Sequence, residues 1–266
     1  MNILEKIIAY KHKEVALSKE TKPIAILEKS TFMEKPIISM SKHIINPNKS
    51  GIIAEIKRKS PSKNIINAEI SVEKISQGYE NTGVSGISVL TDTNFFGGTT
   101  EDLIAVRSRV NIPLLRKDFM IDEYQVIEAK SMGADTVLLI AAGLSKEKCF
   151  ALAEFAQSFG LETLLEIHNE QEYFTHFNKH ISMVGVNNRN LETFKVSTEI
   201  SKKVSKILPK EIIKISESGI SNPETIIELK KYGFQGFLLG EAFMKHPEPQ
   251  TACQEFIQKI NKKKIL

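Results

Sequence analysis

Glu55 and Lys57 stand two residues apart at the end of the apolar run Gly51-Ile52-Ile53-Ala54-Glu55-Ile56-Lys57. Side chains alternate across a strand, so Ile53, Glu55 and Lys57 point the same way. A carboxylate and an ammonium at the end of a buried strand cost desolvation energy unless they are paired or used. A lone Glu-x-Lys is ordinarily a structural ion pair. Here similar polar strand ends recur: Lys117-Asp118, Glu166 with His168, Asn187 to Asn190, Ser216 to Gly219, and Gly240-Glu241. If Glu55, Lys57, Lys117, Glu166 and Glu217 converge, three carboxylates and two ammonium groups share one site. Such a cluster moves pKa values in both directions, which acid–base catalysis needs. Arg189 adds a fixed cation suited to a carboxylate or phosphate.

These residues need elements to position them. From Gly51 onward strand and helix signals alternate. The expected strands are Ile52–Ile56, Gly86–Leu90, Pro113–Arg116, Thr136–Ile140, Glu162–Ile167, Met183–Val186, Ile212–Ser216 and Gly236–Leu239. Helical patterns cover Val72–Asn81, Thr100–Val110, Glu123–Met132, Lys146–Phe159, Gln171–Asn178, Thr198–Ile207, Pro223–Tyr232 and Pro249–Lys263. Several stop at a glycine, as in Met132-Gly133 and Phe159-Gly160, and Ser221-Asn222-Pro223 is a helix-start signal. The pattern predicts the α/β class and a (β/α)8 TIM barrel over residues 51–266. A doubly wound sheet is the alternative, but the turn after the first strand, Lys59-Ser60-Pro61-Ser62, is no dinucleotide fingerprint.

Residues 1–50 form an N-terminal helical extension, too short to hold a core of its own and so part of the same domain. Its first helix places Ile3, Leu4, Ile7, Ile8 and Val15 mostly on one face. A helical piece is expected around Ile24–Lys29, then irregular sequence.

Barrel active sites lie at the C-terminal strand ends. Parity puts Lys117 with Leu115, Glu166 with Leu164, and Glu217 with Ile215. In strand six Val186 pairs with Asn188, and Asn187 with Arg189, so its inward set stays open. Ser218-Gly219 and Gly240-Glu241 follow the last two strands, where many barrels bind phosphate through backbone N–H groups. His168 reads as a cap for Asn169–Glu172 rather than a base. Asp118 reads as structural, holding Lys117, and Asp92 as a cap of the next turn. The Phe95-Phe96-Gly97-Gly98 loop reads as a lid or a core edge. Lys262–Lys264 reads as a solvated helix end.

The 266 residues suffice to bury a large core, about three quarters of the unfolded surface at this size. Hydrophobic residues at 41% and charged residues at 26% are those of a soluble globular protein. The net charge of +4 is spread along the chain, which argues against nucleic acid and suits a small anionic substrate. Two distant cysteines, Cys149 and Cys253, indicate neither a disulfide framework nor a zinc site. No apolar run reaches membrane-spanning length and no secretory signal opens the chain. The expectation is a cytoplasmic protein without membrane partner, a monomer or weak oligomer.

The segments IAEIKRKSPS (53–62), SVLTD (88–92), LRKDF (115–119), DEYQ (122–125), GADTVLLI (133–140), LEIHNE (165–170), GVNNRNL (185–191), SESGI (216–220) and GFLLGEAFM (236–244) together resemble the indole-3-glycerol phosphate synthase family. The resemblance covers nearly the whole chain, with residues 31–48 the weakest part, and Asn64 stands where the family often has glycine. It implies decarboxylating, dehydrating ring closure of 1-(2-carboxyphenylamino)-1-deoxyribulose 5-phosphate, with no metal or organic cofactor. It further implies that Lys117 is the general acid and that Glu166, Glu55 and Lys57 are candidate proton carriers. Asn187, Arg189 and Glu217 match polar substrate-site positions. Lys57, Ser60, Ser218, Gly219, Gly240 and Glu241 match the phosphate region. Pro61, Phe96, Phe119, Leu138, Leu191 and Phe194 match the aromatic pocket. The alternatives are another phosphate-sugar barrel, such as a phosphoribosylanthranilate isomerase, and a non-catalytic phosphate-binding barrel. The complete polar set argues against the latter.

Overall fold

The computed structural model describes residues 2–61, 65–67, 70–191 and 193–263; the readings at Asn64 and Lys264 lie outside them. Eight parallel strands close on themselves in chain order: β1 (Ile52–Ile56), β2 (Gly86–Leu90), β3 (Leu114–Lys117), β4 (Thr136–Ile140), β5 (Glu162–Ile167), β6 (Met183–Asn187), β7 (Ile213–Glu217) and β8 (Gly236–Leu239). The barrel closes where Ile53 pairs with Leu238. Helices α1 (Ile3–Thr21), α2 (Ile24–Leu27) and α3 (Met40–Ile45) precede it. Then come α4 (Val72–Asn81), α5 (Thr93–Phe96), α6 (Thr100–Arg107), α7 (Glu123–Ser131), α8 (Lys146–Ser158), α9 (Glu170–His176), α10 (Glu199–Ser205), α11 (Pro223–Lys231), α12 (Glu241–Met244) and α13 (Pro249–Lys263).

Local chemistry starts and stops these elements. Asp122 caps α7 and forms a capping box with Gln125, and Asn222 caps α11 ahead of Pro223 in its first turn. Gly133, after α7, takes φ +85°, a left-handed turn that glycine enters without steric cost. The third strand runs one residue beyond the expected end, the sixth reaches Asn187 and the seventh Glu217. In each case ladder pairing carries the strand into its polar end, as with Leu90 opposite Lys117 and Asn187 opposite Glu217. The sixth helix stops at Arg107, three residues short of the expected Val110. Its guanidinium turns back onto Asp135 and the Val110 and Ile112 carbonyls.

Inside the barrel Ile53, Leu115, Leu138, Leu164, Met183, Ile215 and Leu238 fill the space below the polar mouth. Each such buried side chain contributes about 1.5–3 kcal/mol of transfer free energy. The short helix α3, expected as irregular sequence, plugs the opposite end with Met40 and Ile44. Its cap at Ser39 and the Met40/Ile44 spacing were the available signals.

The extension is keyed into the barrel by charge. On α1 a buried stripe of Ile7, Lys11 and Val15 faces inward. The Lys11 ammonium is 0% exposed and lies 2.9 Å from Asp118, 3.0 Å from Asp92 and 2.8 Å from Glu14. Asp118 therefore does not hold Lys117. It projects to the other face of β3, as strand parity requires, and also meets Arg116 at 3.2 Å and Thr91 at 2.6 Å. Burial would raise its pKa, but Lys11 and Arg116 hold it down to about 2. Asp92 caps α5 through Phe95 and Phe96, as expected.

Replacing Lys11 leaves buried carboxylates without a counter-ion. Lys11→Met is expected to lose about 3–5 kcal/mol at pH 7, the usual cost of breaking a buried pair. Asp118, with its depressed pKa, contributes stability present above the ordinary 3.8 and lost as pH falls through about 2. In the variant that carboxyl protonates more readily, so the gap to wild type narrows towards pH 4. Thermal melts at the two pH values check this.

Candidate active site

The C-terminal ends of the strands open into a cavity of about 480 Å3. All the candidate residues line it: Glu55, Lys57, Ser60, Pro61, Phe96, Lys117, Phe119, Leu138, Glu166, Asn187, Arg189, Leu191, Phe194, Glu217, Ser218, Gly219, Gly240 and Glu241. Ile3, Leu4 and Ile7 of α1 also line it, as do Ile140 and Lys245. Sequence reasoning left Lys245 out because it sits beyond the strand end, on the far side of α12.

Lys117, last residue of β3, stands at the centre. Its Nζ donates to Glu166 Oε2 at 2.6 Å and to Glu217 Oε2 at 2.9 Å. Burial works against its charge, but Glu166, Glu217 and Glu55 outweigh burial and raise its pKa above the usual lysine range. Sequence alone left that balance open. The structure decides it through two contacts and through Asp118, which faces away.

Lys57 donates to Glu55 Oε1 at 2.6 Å. Asn187 resolves the parity question on β6 by pointing inward, where its Nδ2 donates to Glu166 Oε1 at 3.0 Å. Its own Oδ1 accepts the Arg189 backbone N–H at 3.0 Å. Asn188 faces outward, buried among Ser201, Ser216 and the Ser218 carbonyl.

The carboxyls part company. Burial raises both, and Lys117 with His168 then holds Glu166 down to about 2. Glu217 is pushed up to about 7 by burial and by the charges of Glu166 and Glu55, against the pull of Lys117. Its Oε1 is buried without a hydrogen-bond partner among the described residues. The surroundings thus favour a proton on Glu217 and oppose one on Glu166. This separation of acid from base is what general acid–base chemistry uses.

Two glycines make room for this packing. A Cβ on Gly185 would collide with Glu217 Oε1, and one on Gly240 would lie 2.5 Å from Glu55 Oε1. Gly240, expected at the phosphate region, therefore also clears space for the acid–base cluster. Beside it Ser218 and Gly219 both take left-handed backbone, at φ +67° and +74°. A serine there is strained, and such pairs shape anion-binding concavities. Across the cavity the Phe96 and Phe119 rings lie 5.9 Å apart.

His168 is held by Glu172, whose Oε2 accepts its backbone N–H at 2.7 Å and lies 3.2 Å from Nδ1. The helix is capped by Asn169, whose Oδ1 accepts the Glu172 N–H at 2.9 Å, and not by His168, whose other ring nitrogen points towards Glu166 at 3.7 Å.

A closed barrel with an acid–base cluster at its C-terminal mouth defines an enzyme of the TIM-barrel class. A solved structure described as native KDPGal shares this fold, at a TM-score of 0.55, 14% identity, and coverage of 79% of this chain and 92% of that one. The sequence model of the family "Indole-3-glycerol phosphate synthase" matches residues 4–256. A protein of that name from Bacteroides thetaiotaomicron is 47% identical over 97% of this chain and 99% of its own length. One from Dechloromonas aromatica is 41% identical over 93% of this chain and 96% of its own length. The chain belongs to the indole-3-glycerol phosphate synthase family.

Glu217 supplies a pH test of the cluster. Its folded pKa near 7 exceeds the ordinary 4.5, so its proton contributes stability fully present below 4.5 and lost as pH rises through about 7. Glu217→Gln imitates the neutral form. Its melting temperature relative to wild type is expected to rise between pH 5 and pH 8. Gly185→Ala is expected to fold yet lower kcat at least ~10-fold, because the added methyl displaces a catalytic-site carboxyl by a fraction of an ångström or more. Circular dichroism and steady-state rates check it.

Proposed function

We propose that the protein closes the indole ring of 1-(2-carboxyphenylamino)-1-deoxyribulose 5-phosphate, giving indole-3-glycerol phosphate, CO2 and water. The observation that carries this reading is the Lys117 ammonium held between Glu166 and Glu217 in a cavity with an apolar and a glycine-lined end. The anilino ring fits against Phe96, Phe119, Leu138, Leu191, Phe194 and Pro61. The phosphate fits at Ser60, Ser218, Gly219, Gly240 and Glu241, with Lys57 near. Arg189 is the cation for the substrate carboxylate.

In this pose the ring carbon bearing the carboxylate attacks the ribulose carbonyl, and Lys117 gives its proton to the oxygen. A raised lysine pKa suits this step: the residue is always charged beforehand, and a developing alkoxide is a stronger base than an amine. Loss of CO2 restores aromaticity. Water then leaves, with the Glu217 proton available at neutral pH and Glu166, fixed by Asn187, ready to accept a proton from carbon. Glu55 and Lys57 are the other candidate carriers.

We read residues 1–50 and the barrel, 51–266, as one domain, because Lys11 makes α1 part of the barrel's ion network. No helix among the described residues is long and apolar enough to cross a membrane. Our reading is a cytoplasmic monomer or weak oligomer that acts on a small phosphorylated substrate, without nucleic acid.

Incubation with the anilino-ribulose phosphate is expected to produce indole fluorescence; none from folded protein would refute the assignment. Lys117→Met should lower kcat by at least ~100-fold, the typical worth of one acid–base group. Lys117→Arg should not restore it, guanidinium being a weaker acid of different shape. Binding should change much less. Near wild-type single-turnover closure by Lys117→Met would move the acid to another residue.

A further inference from the structure

The proposed reaction has a proton deficit. The ribulose carbonyl oxygen leaves as water and so collects two protons. One is released at C1 of the sugar chain when the new ring becomes aromatic. The substrate carboxylate departs as CO2 without one. The second proton therefore enters from solvent in every turnover.

A substrate in the proposed pose would lie between the cluster and the cavity opening, and Ile3, Leu4 and Ile7 line the cavity with apolar surface. Behind Glu166, away from the cavity, stands a second path. Glu166 Oε2 contacts Lys117, and its Oε1 faces His168 Nε2 at 3.7 Å. That nitrogen is buried and has no hydrogen-bond partner among the described residues. The opposite nitrogen, Nδ1, meets Glu172 Oε2 at 3.2 Å. Glu172 lies in the first turn of α9, is pinned there by Asn169 at 2.8 Å, and has an 18% exposed side chain. Carboxyl, imidazole and carboxyl thus run in line from the reacting centre to the surface.

We propose that His168 is a positioning and proton-supplying residue that acts through Glu166, linking it to solvent by way of Glu172. The proposal rests on the ring-closure reading. When Lys117 discharges its proton, Glu166 loses its cation at 2.6 Å and His168 becomes its nearest alternative. As the Nε2–H tautomer, His168 takes a proton at Nδ1 from Glu172, which draws it from solvent, and gives its Nε2–H proton to Glu166. Glu166 Oε2 hands that proton to the discharged Lys117 amine, so the carboxylate is free again. The imidazole, left with its proton on Nδ1, turns over to reset. The groups facing His168 are Glu166 on β5, Glu172 on α9 and Glu217 on β7. Burial opposes its charge, but these carboxyls raise its pKa above the ordinary histidine value, which favours the charged form through which the relay passes.

The test uses the full chain and the anilino-ribulose phosphate, with indole fluorescence as readout. His168→Gln retains a polar side chain towards Glu172 but carries no transferable charge. It is expected to lower kcat about 10-fold with KM within about twofold, less than loss of a directly acting group. Glu172→Gln should lower kcat in the same direction. In His168→Ala, added imidazole should raise kcat with a concentration dependence that wild type lacks. A folded His168→Gln with kcat within about twofold of wild type overturns the proposal. So does an Ala variant that melts earlier and does not respond to imidazole, since its loss would be structural. A folded wild type that forms no indole product overturns the reaction assignment and this proposal with it.

Discussion

The barrel mouth is organised around a charge imbalance in a small buried volume. Lys117 cannot neutralise both carboxyls it touches, and Glu55 already holds Lys57. At low effective dielectric the surplus negative charge is expensive, and the least costly relief is a proton on one carboxyl. Glu217 holds a proton more readily than Glu166, which also has Asn187 and His168 beside it. Two chemically identical side chains that share one lysine thus differ in proton affinity. Much else in the fold serves this packing. Gly185 and Gly240 lack side chains where the carboxyls need space, and the apolar layer below keeps water from entering beneath.

The strand that carries Lys117 serves two networks at once. Lys117 points into the barrel, while its neighbours Arg116 and Asp118 point out and meet Glu128 and Lys11. The outer network fixes α1 against the barrel and, through Asp92, fixes α5, which carries Phe96. The apolar lining and the ionic centre are therefore tied to the same three residues of backbone, Arg116 to Asp118. Lys117 is one peptide unit from each of the residues, Arg116 and Asp118, that carry the outer network.

The family relation and the geometry answer different questions. Similarity over nearly the full chain establishes membership. The 14% identical barrel establishes only that the fold is common to distant chains. In this barrel the strand ends set a lysine between two glutamates beside an apolar wall.

The sequence by itself determined the alternation of strand and helix, the barrel, and most of the inward set. These follow from local rules: period-two patterning, caps such as Asn222 before Pro223, and parity that sends Lys117, Glu166 and Glu217 to the face of Leu115, Leu164 and Ile215. The chain could also be matched to its family on short motifs. Tertiary structure alone decided which charges pair. Lys117 meets partners 49 and 100 residues away, and Lys11 is fully buried between two aspartates. Asp118 turned from Lys117, Asn187 turned inward, and α3 became a plug. The physical reason is that pairing and proton affinity depend on distances of a few ångströms, which only closure of the barrel sets. Periodicity along the chain states which face a side chain takes, and not what stands opposite it.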